Sequence, residues 1–142
     1  MKTLLTMLAC CTVLSAAFGQ KLKETDVPVS VKGAFYKAYP SVKSVKWGKE
    51  NDKFEASFDN NKEESSVVID NSGAIVETEV EINVGQLPKE VNDYVKTHYQ
   101  GQKIKEAARI SDANGVVTFE AELKGVELLF TDKGEFIKEV KE

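Results

Sequence analysis

The chain has 142 residues, with 23 acidic against 19 basic side chains, a single histidine, two cysteines and a net charge of −4. That balance offers no concentration of lysine and arginine able to displace counterions, which argues against nucleic acid or anionic lipid as a partner. Lysines such as Lys21, Lys23, Lys43 and Lys46 are interleaved with acidic or apolar residues, the pattern of a solvated face.

Lys2 is followed by an apolar stretch from Leu4 to Phe18 that ends in Ala17-Phe18-Gly19-Gln20. A basic start, a short apolar core and small residues at the −3 and −1 positions make a secretory signal peptide cleaved after Gly19. The stretch is too short, and too poor in following positive charge, to serve as a stop-transfer helix. A lipoprotein would instead need cleavage before Cys10, which leaves Leu5 to Ala9 as an unusually short apolar core, so lipidation at Cys10 is disfavoured. The expectation is a periplasmic or secreted mature chain, 20–142, without a membrane-inserted segment. Both cysteines, Cys10 and Cys11, leave with the signal, and with them any disulfide, thiol nucleophile or cysteine metal site. Loss of Lys2 takes the balance to 18 basic against 23 acidic residues, a net charge of −5. A chain of this size suits one domain with a real core.

The mature sequence reads as one unit written twice. Val27-Pro28 and Leu87-Pro88 each open a segment with the same apolar spacing, Val27, Val31, Ala34, Phe35 and Ala38 in one and Leu87, Val91, Tyr94 and Val95 in the other. This is one face of a helix about three turns long, expected over 28–39 and 88–99. Proline suits the first turn, where its missing N–H would be unpaired anyway. Pro40 stops the first helix after Tyr39, and Gly101 loosens the second after Tyr99.

The period then changes to two, as in Phe54-Glu55-Ala56-Ser57-Phe58 and Val117-Thr118-Phe119-Glu120-Ala121-Glu122-Leu123, which marks half-buried antiparallel strands. Strands are expected near 42–48, 53–59, 64–70 and 74–82, and again near 103–110, 116–124, 126–131 and 135–141. Ile69-Asp70-Asn71-Ser72-Gly73-Ala74 and Phe130-Thr131-Asp132-Lys133-Gly134-Glu135 each place a tight glycine-bearing hairpin between apolar runs. The predicted fold is α+β: two tandem αββββ repeats, 24–83 and 84–142, forming one antiparallel, roughly eight-stranded sheet with both helices on one face. Phe54 and Phe119 should occupy equivalent core positions.

The Pro-led helix ending in Tyr39 or Tyr99, the strand Val42-Lys43-Ser44-Val45-Lys46-Trp47, the repeated Phe-Glu-Ala and the Asp/Gly hairpin before the last strand resemble the PepSY-like periplasmic proteins. That family shares the tandem-repeat architecture of β-lactamase-inhibitor proteins. The resemblance covers nearly all of 24–142 and implies a bacterial envelope protein that binds proteins or peptides through its sheet. It does not carry over β-lactamase inhibition, because the mature chain lacks the disulfides of the secreted inhibitors. The hairpin Phe58-Asp59-Asn60-Asn61-Lys62 is also polar where their inhibitory loop sets an acid beside aromatics.

Among residues that could carry chemistry, His98 is the natural general base near neutral pH. It stands alone, without a Gly-x-Ser-x-Gly turn or other nucleophile motif, and helical spacing places it at the edge of the inward face. Glu77, Glu79 and Glu81 share one strand face, about 7 Å apart, and could meet a cation or a basic partner. As a solvated face they would stand in open water, balanced by cross-strand lysines such as Lys138. Asp112-Ala113-Asn114-Gly115 starts like a calcium loop but lacks the later ligands, and reads as a hairpin turn. Tyr36 lies off the Phe35 stripe, and Trp47 is either a core plug or an exposed anchor, the core being the commoner place for a large aromatic.

These features predict a non-catalytic binding module that takes no cofactor and recognises an envelope protein or peptide through its sheet face or hairpin loops. Its candidate binding residues are Tyr36, Trp47, Asp59, Asn60, Glu77, Glu79 and Glu81. The alternative is a small-ligand or metal-ion binder that uses the acidic strand face.

Overall fold

The computed structural model describes residues 20–141. The expected signal peptide and its cleavage site, with Cys10 and Cys11, lie outside them. The elements in chain order are β1 (Gln20–Leu22), α1 (Val29–Ala38), β2 (Lys46–Glu50), β3 (Lys53–Asn60), β4 (Glu63–Ile69) and β5 (Ile75–Ile82). They continue with α2 (Lys89–His98), β6 (Glu106–Asp112), β7 (Val117–Leu123), β8 (Val126–Thr131) and β9 (Phe136–Lys141). All nine strands form a single antiparallel sheet in sequence order. The sheet thus has one strand more than the eight expected, because Gln20–Leu22 pairs along β2. The first strand of each repeat also begins later than its apolar pattern suggested: Val42 is buried in the core from the loop that follows α1, not from a strand.

Pro28 and Pro88 sit at the N-cap positions of the helices with φ of −55° and −52°. Each follows a 3-10 turn, Glu24–Asp26 or Val84–Gln86, at a spacing of 60 residues. At the C-terminal ends the N–H of Tyr39 donates to Phe35 O and that of Tyr99 to Val95 O, both at 2.8 Å, closing the last turn.

Three hairpins use one turn chemistry. Asp70 accepts from the N–H groups of Ser72 and Ala74, Asp112 from those of Asn114 and Val116, and Thr131 from those of Lys133 and Glu135. A glycine with φ between 80° and 92° then completes each turn: Gly73, Gly115 and Gly134. Two of these turns press on the helices. A Cβ at Gly73 would lie 2.9 Å from Ser30 O at the start of α1, and one at Gly134 would lie 2.8 Å from the Glu90 Cβ of α2. The β3–β4 connection instead puts Asn61 and Lys62 both at positive φ, the geometry of a two-residue type I′ turn.

Each helix has its own core. Val31 and Phe35 of α1 pack with Trp47, Phe54, Ala56, Phe58, Val67 and Ile69, and Val91 and Val95 of α2 pack with Ala107, Ala121, Leu123, Leu128 and Phe130. The two clusters share no residue. The repeats nevertheless superpose in register: Trp47 faces Ala56 as Ala107 faces Ala121, and β4 and β8 carry the same bulge, at Val68/Ile69 and Leu129/Phe130. Phe54 and Phe119 hold equivalent positions, Phe54 buried and Phe119 half-buried beside the exposed Arg109. Between the cores runs the β5–β6 seam, where Thr78 faces Ser111 and Val80 faces Arg109 on the helix side. Arg109 Nη1 donates to Ser111 Oγ at 2.9 Å across the top of β6.

Candidate functional site

Because side chains alternate across a sheet, the registers assign every residue to a face. Row by row, the face turned away from both helices carries Glu55, Val68 and Glu77, then Ser57, Ser66, Glu79, Ile110 and Thr118, then Glu81, Ala108, Glu120, Leu129 and Lys138. A fourth row holds Glu106, Glu122 and Glu127. No helix covers this side, yet Leu129 is 2 %, Glu127 4 % and Glu120 8 % exposed, and Val68, Ala108 and Ile110 are buried too. Side chains without a covering layer become this inaccessible only where the sheet curls around them, and the two bulges supply extra local twist.

The result is a concave acidic face whose centre is partly dry. Burial, followed by the charges of Glu77, Glu55, Glu127 and Glu64, pushes the Glu79 carboxyl up to about 7. Burial and then Glu79, Glu127, Glu122 and Glu77 push Glu120 up to about 9. Near the margin Glu106 is raised as well, first by the charge of Glu122 and then by burial. Desolvation penalises the charged form of a carboxylate and like charges add to it. Glu79 Oε2 and Glu120 Oε2 are both buried without a hydrogen-bond partner. Glu79 on β5 and Glu120 on β7 lie in adjacent rows on either side of β6, where Ile110 faces Glu79 and Ala108 faces Glu120.

The residues singled out in the sequence divide between the faces. Glu77, Glu79, Glu81 and Asp59 do share the open face, but the expectation of three side chains in open water holds only for Glu81. Glu77 and Glu79 are half-buried because the curl of the sheet brings acids of β3, β7 and β8 over them. Lys138 stands on β9, where it pairs with Leu129, and not on a strand next to β5. Asp59 is exposed opposite Glu64, and Asn60 closes β3 beside the type I′ turn. Trp47 is a core plug at 4 % exposure, in edge contact with Phe35, and so is no exposed anchor. The Tyr36 hydroxyl donates to Glu24 Oε1 at 3.0 Å, and burial and then Glu24 raise its pKa. That tyrosine belongs to the helix side.

His98 is exposed, not at the inward edge. Its ring stacks on Tyr94 at 4.2 Å, and Tyr94 in turn stacks on Phe136 at 4.6 Å, on the flank of α2 outside the Val91–Val95 stripe. Asp112 spends its carboxylate on the hairpin, as the turn reading required. Among the described residues no three His, Cys, Asp or Glu side chains come together as a set able to hold a metal ion, and no helix is long and apolar enough to cross a membrane. The residues that sequence reasoning missed are Glu120 and Glu127. The repeated Phe-Glu-Ala pointed to Glu120, the counterpart of Glu55, but as a solvent position.

Solved structures share this architecture. A protein of Bacteroides eggerthii described as periplasmic matches with a TM-score of 0.73 at 17% identity, over 81% of this chain and 88% of its own. A DUF2874 family protein of Bacteroides uniformis gives 0.72 at 20%, over 81% and 89%. A BLIP-like protein of Bacteroides fragilis gives 0.64 at 21%, over 79% and 84%. No curated protein matches the sequence. The family model described as "Putative beta-lactamase-inhibitor-like, PepSY-like" matches twice, over residues 17–77 and 52–138, which together span the duplicated unit and its open acidic face. The chain therefore belongs to the PepSY-like family.

Proposed function

We propose that this protein is an exported, periplasmic, non-catalytic binding module that recognises an envelope protein or peptide through the open face of its sheet. The observation that carries the reading is the face itself. Val68, Ile110 and Leu129 sit among half-buried acids on a surface that no element of the described chain covers. Apolar patches rimmed by polar groups are characteristic of interaction sites. The BLIP-like and periplasmic descriptions of structures with this fold agree with it. Catalysis is the weaker reading, because the one histidine stands on the flank of α2, on the opposite side of the sheet from the paired acids.

The test is capture from an envelope extract by three forms of the mature protein: wild type, Ile110→Lys on the open face, and Lys37→Glu on the outer side of α1. A partner retained by wild type and Lys37→Glu and lost with Ile110→Lys supports the reading. A partner lost only with Lys37→Glu places recognition on the helix side and refutes it.

A further inference from the structure

The open face holds more than a general negative potential. Glu120 is nine-tenths buried with its Oε2 unpartnered, and it points into a cluster of acids that already repel one another. Buried polar atoms in native proteins are normally satisfied, and one left unsatisfied has a cost that a ligand donor would remove. Glu79 Oε2, on the far side of β6 and one row away, lacks a partner too, and its carboxylate is the foremost of the charges acting on Glu120. The surface around them is apolar, with Ile110 of β6 facing Glu79 and Leu129 of β8 facing Glu120. Two neighbouring unpartnered acceptors set among aliphatic side chains match a cation carried on a methylene stem. Lysine and arginine side chains have this form: the stem lies along apolar surface and the head donates to carboxylates.

Resting on the binding role just proposed, we infer that Glu79 and Glu120 form a single cation-accepting position on the open face, and that its occupant is a lysine or arginine side chain of the partner protein. The charges facing the pair are Glu64 of β4, Glu55 of β3, Glu77 of β5, Glu122 of β7 and Glu127 of β8, with Lys138 of β9 as the cation of the Glu120 row. At neutral pH burial keeps both carboxyls partly or largely protonated. An arriving ammonium or guanidinium displaces a proton, so affinity rises with pH. For a site that needs Glu79 ionised at about 7, the gain from pH 6 to pH 8 is about tenfold.

The test is a titration of the mature protein, carrying carboxyl-labelled glutamate, with Gly-Gly-Xaa-Gly-Gly peptides in which Xaa is arginine, lysine or the neutral isostere citrulline. The arginine or lysine peptide should shift the Glu79 and Glu120 carboxyl resonances saturably, about tenfold more tightly at pH 8 than at pH 6, and the citrulline peptide should not. Glu120→Gln should weaken binding at least tenfold while retaining the circular dichroism spectrum, and Asp132→Asn, in the exposed β8–β9 hairpin, should leave it unchanged. Equal binding of the citrulline and arginine peptides overturns the cation position but leaves the open face as a binding surface. Shifts confined to resonances of the helix side overturn both. Absence of any shift at 10 mM peptide (about the weak end of useful side-chain affinities), or movement of the same resonances by calcium chloride alone, also refutes the inference.

Discussion

Replacing Glu120 by glutamine should make the protein more stable at pH 7 and above, and increasingly so as the pH rises. In the fold this carboxyl titrates at about 9, against an ordinary 4.5. A carboxyl whose folded pKa is raised binds its proton more tightly in the native than in the unfolded state. Between pH 4.5 and 9, therefore, native stability falls as pH rises. Each pH unit in that interval costs about 1.4 kcal/mol, so at pH 8 the wild-type group costs about 5 kcal/mol relative to a neutral one. Glu79 titrates with it and takes part of the same effect, and the glutamine amide inherits the unpartnered position, at about 1–3 kcal/mol. The net expectation is a gain of about 2–4 kcal/mol at pH 8 that falls as the pH drops and becomes a loss of about 1–3 kcal/mol near pH 4.5. In urea that moves the unfolding midpoint upward by about 1–2 M at pH 8, and downward near pH 4.5. Superimposable urea curves of the two proteins at pH 8, or a wild type more stable at pH 8 than at pH 5, would refute the electrostatic account of the open face.

Phe35, fully buried in ring contact with Tyr36, Tyr39, Trp47 and Phe58, should cost about 3–5 kcal/mol when truncated to alanine, read as a lowered urea midpoint. Gly134→Ala and Gly115→Ala share the left-handed backbone penalty of about 1–2 kcal/mol, but only at Gly134 does the added Cβ meet a helix. The melting temperature of the first variant should drop clearly further than that of the second, and equal drops would mean the hairpin does not press on α2. Asp70→Ala should lower the melting temperature at pH 7. Hydrogen bonds from Ser72 and from the turn backbone hold the Asp70 carboxyl below its ordinary value, so its contribution is present above the carboxylate range and lost as the pH falls through it. A deficit that does not shrink on acidification would contradict this.

Much of the fold was legible because its signals are local. Val27-Pro28 and Leu87-Pro88 start the helices, and Asp70, Gly73, Thr131 and Gly134 write the hairpins directly into the chain. The strand Gln20–Leu22 gave no such signal, since three residues show no period and stand directly after the expected cleavage site. Val42 and Val45 misled the strand starts, because a loop residue that plugs a core looks like a strand residue in a pattern. The open face shows the same limit more sharply. Alternation correctly placed Glu77, Glu79 and Glu81 on one side. Their burial depends on Glu120 and Glu127, some forty residues away, and on how far the sheet curls, which no local period encodes.

The β5–β6 seam has a mechanical consequence. The halves of the molecule have separate cores, so they are joined chiefly by a ladder of six residue pairs, with Ile82 of β5 packed on the second core and the Ala113 N–H donating to Val76 O at 3.0 Å. Such a ladder is compliant to bending, whereas a packed core resists it. Glu79 belongs to one half and Glu120 to the other. Flexure of the domain would open or close the gap between them and so change how strongly they compete for protons. Their acidity thereby becomes a gauge of domain curvature: a partner that wraps the sheet tighter or splays it flat would register as proton uptake or release.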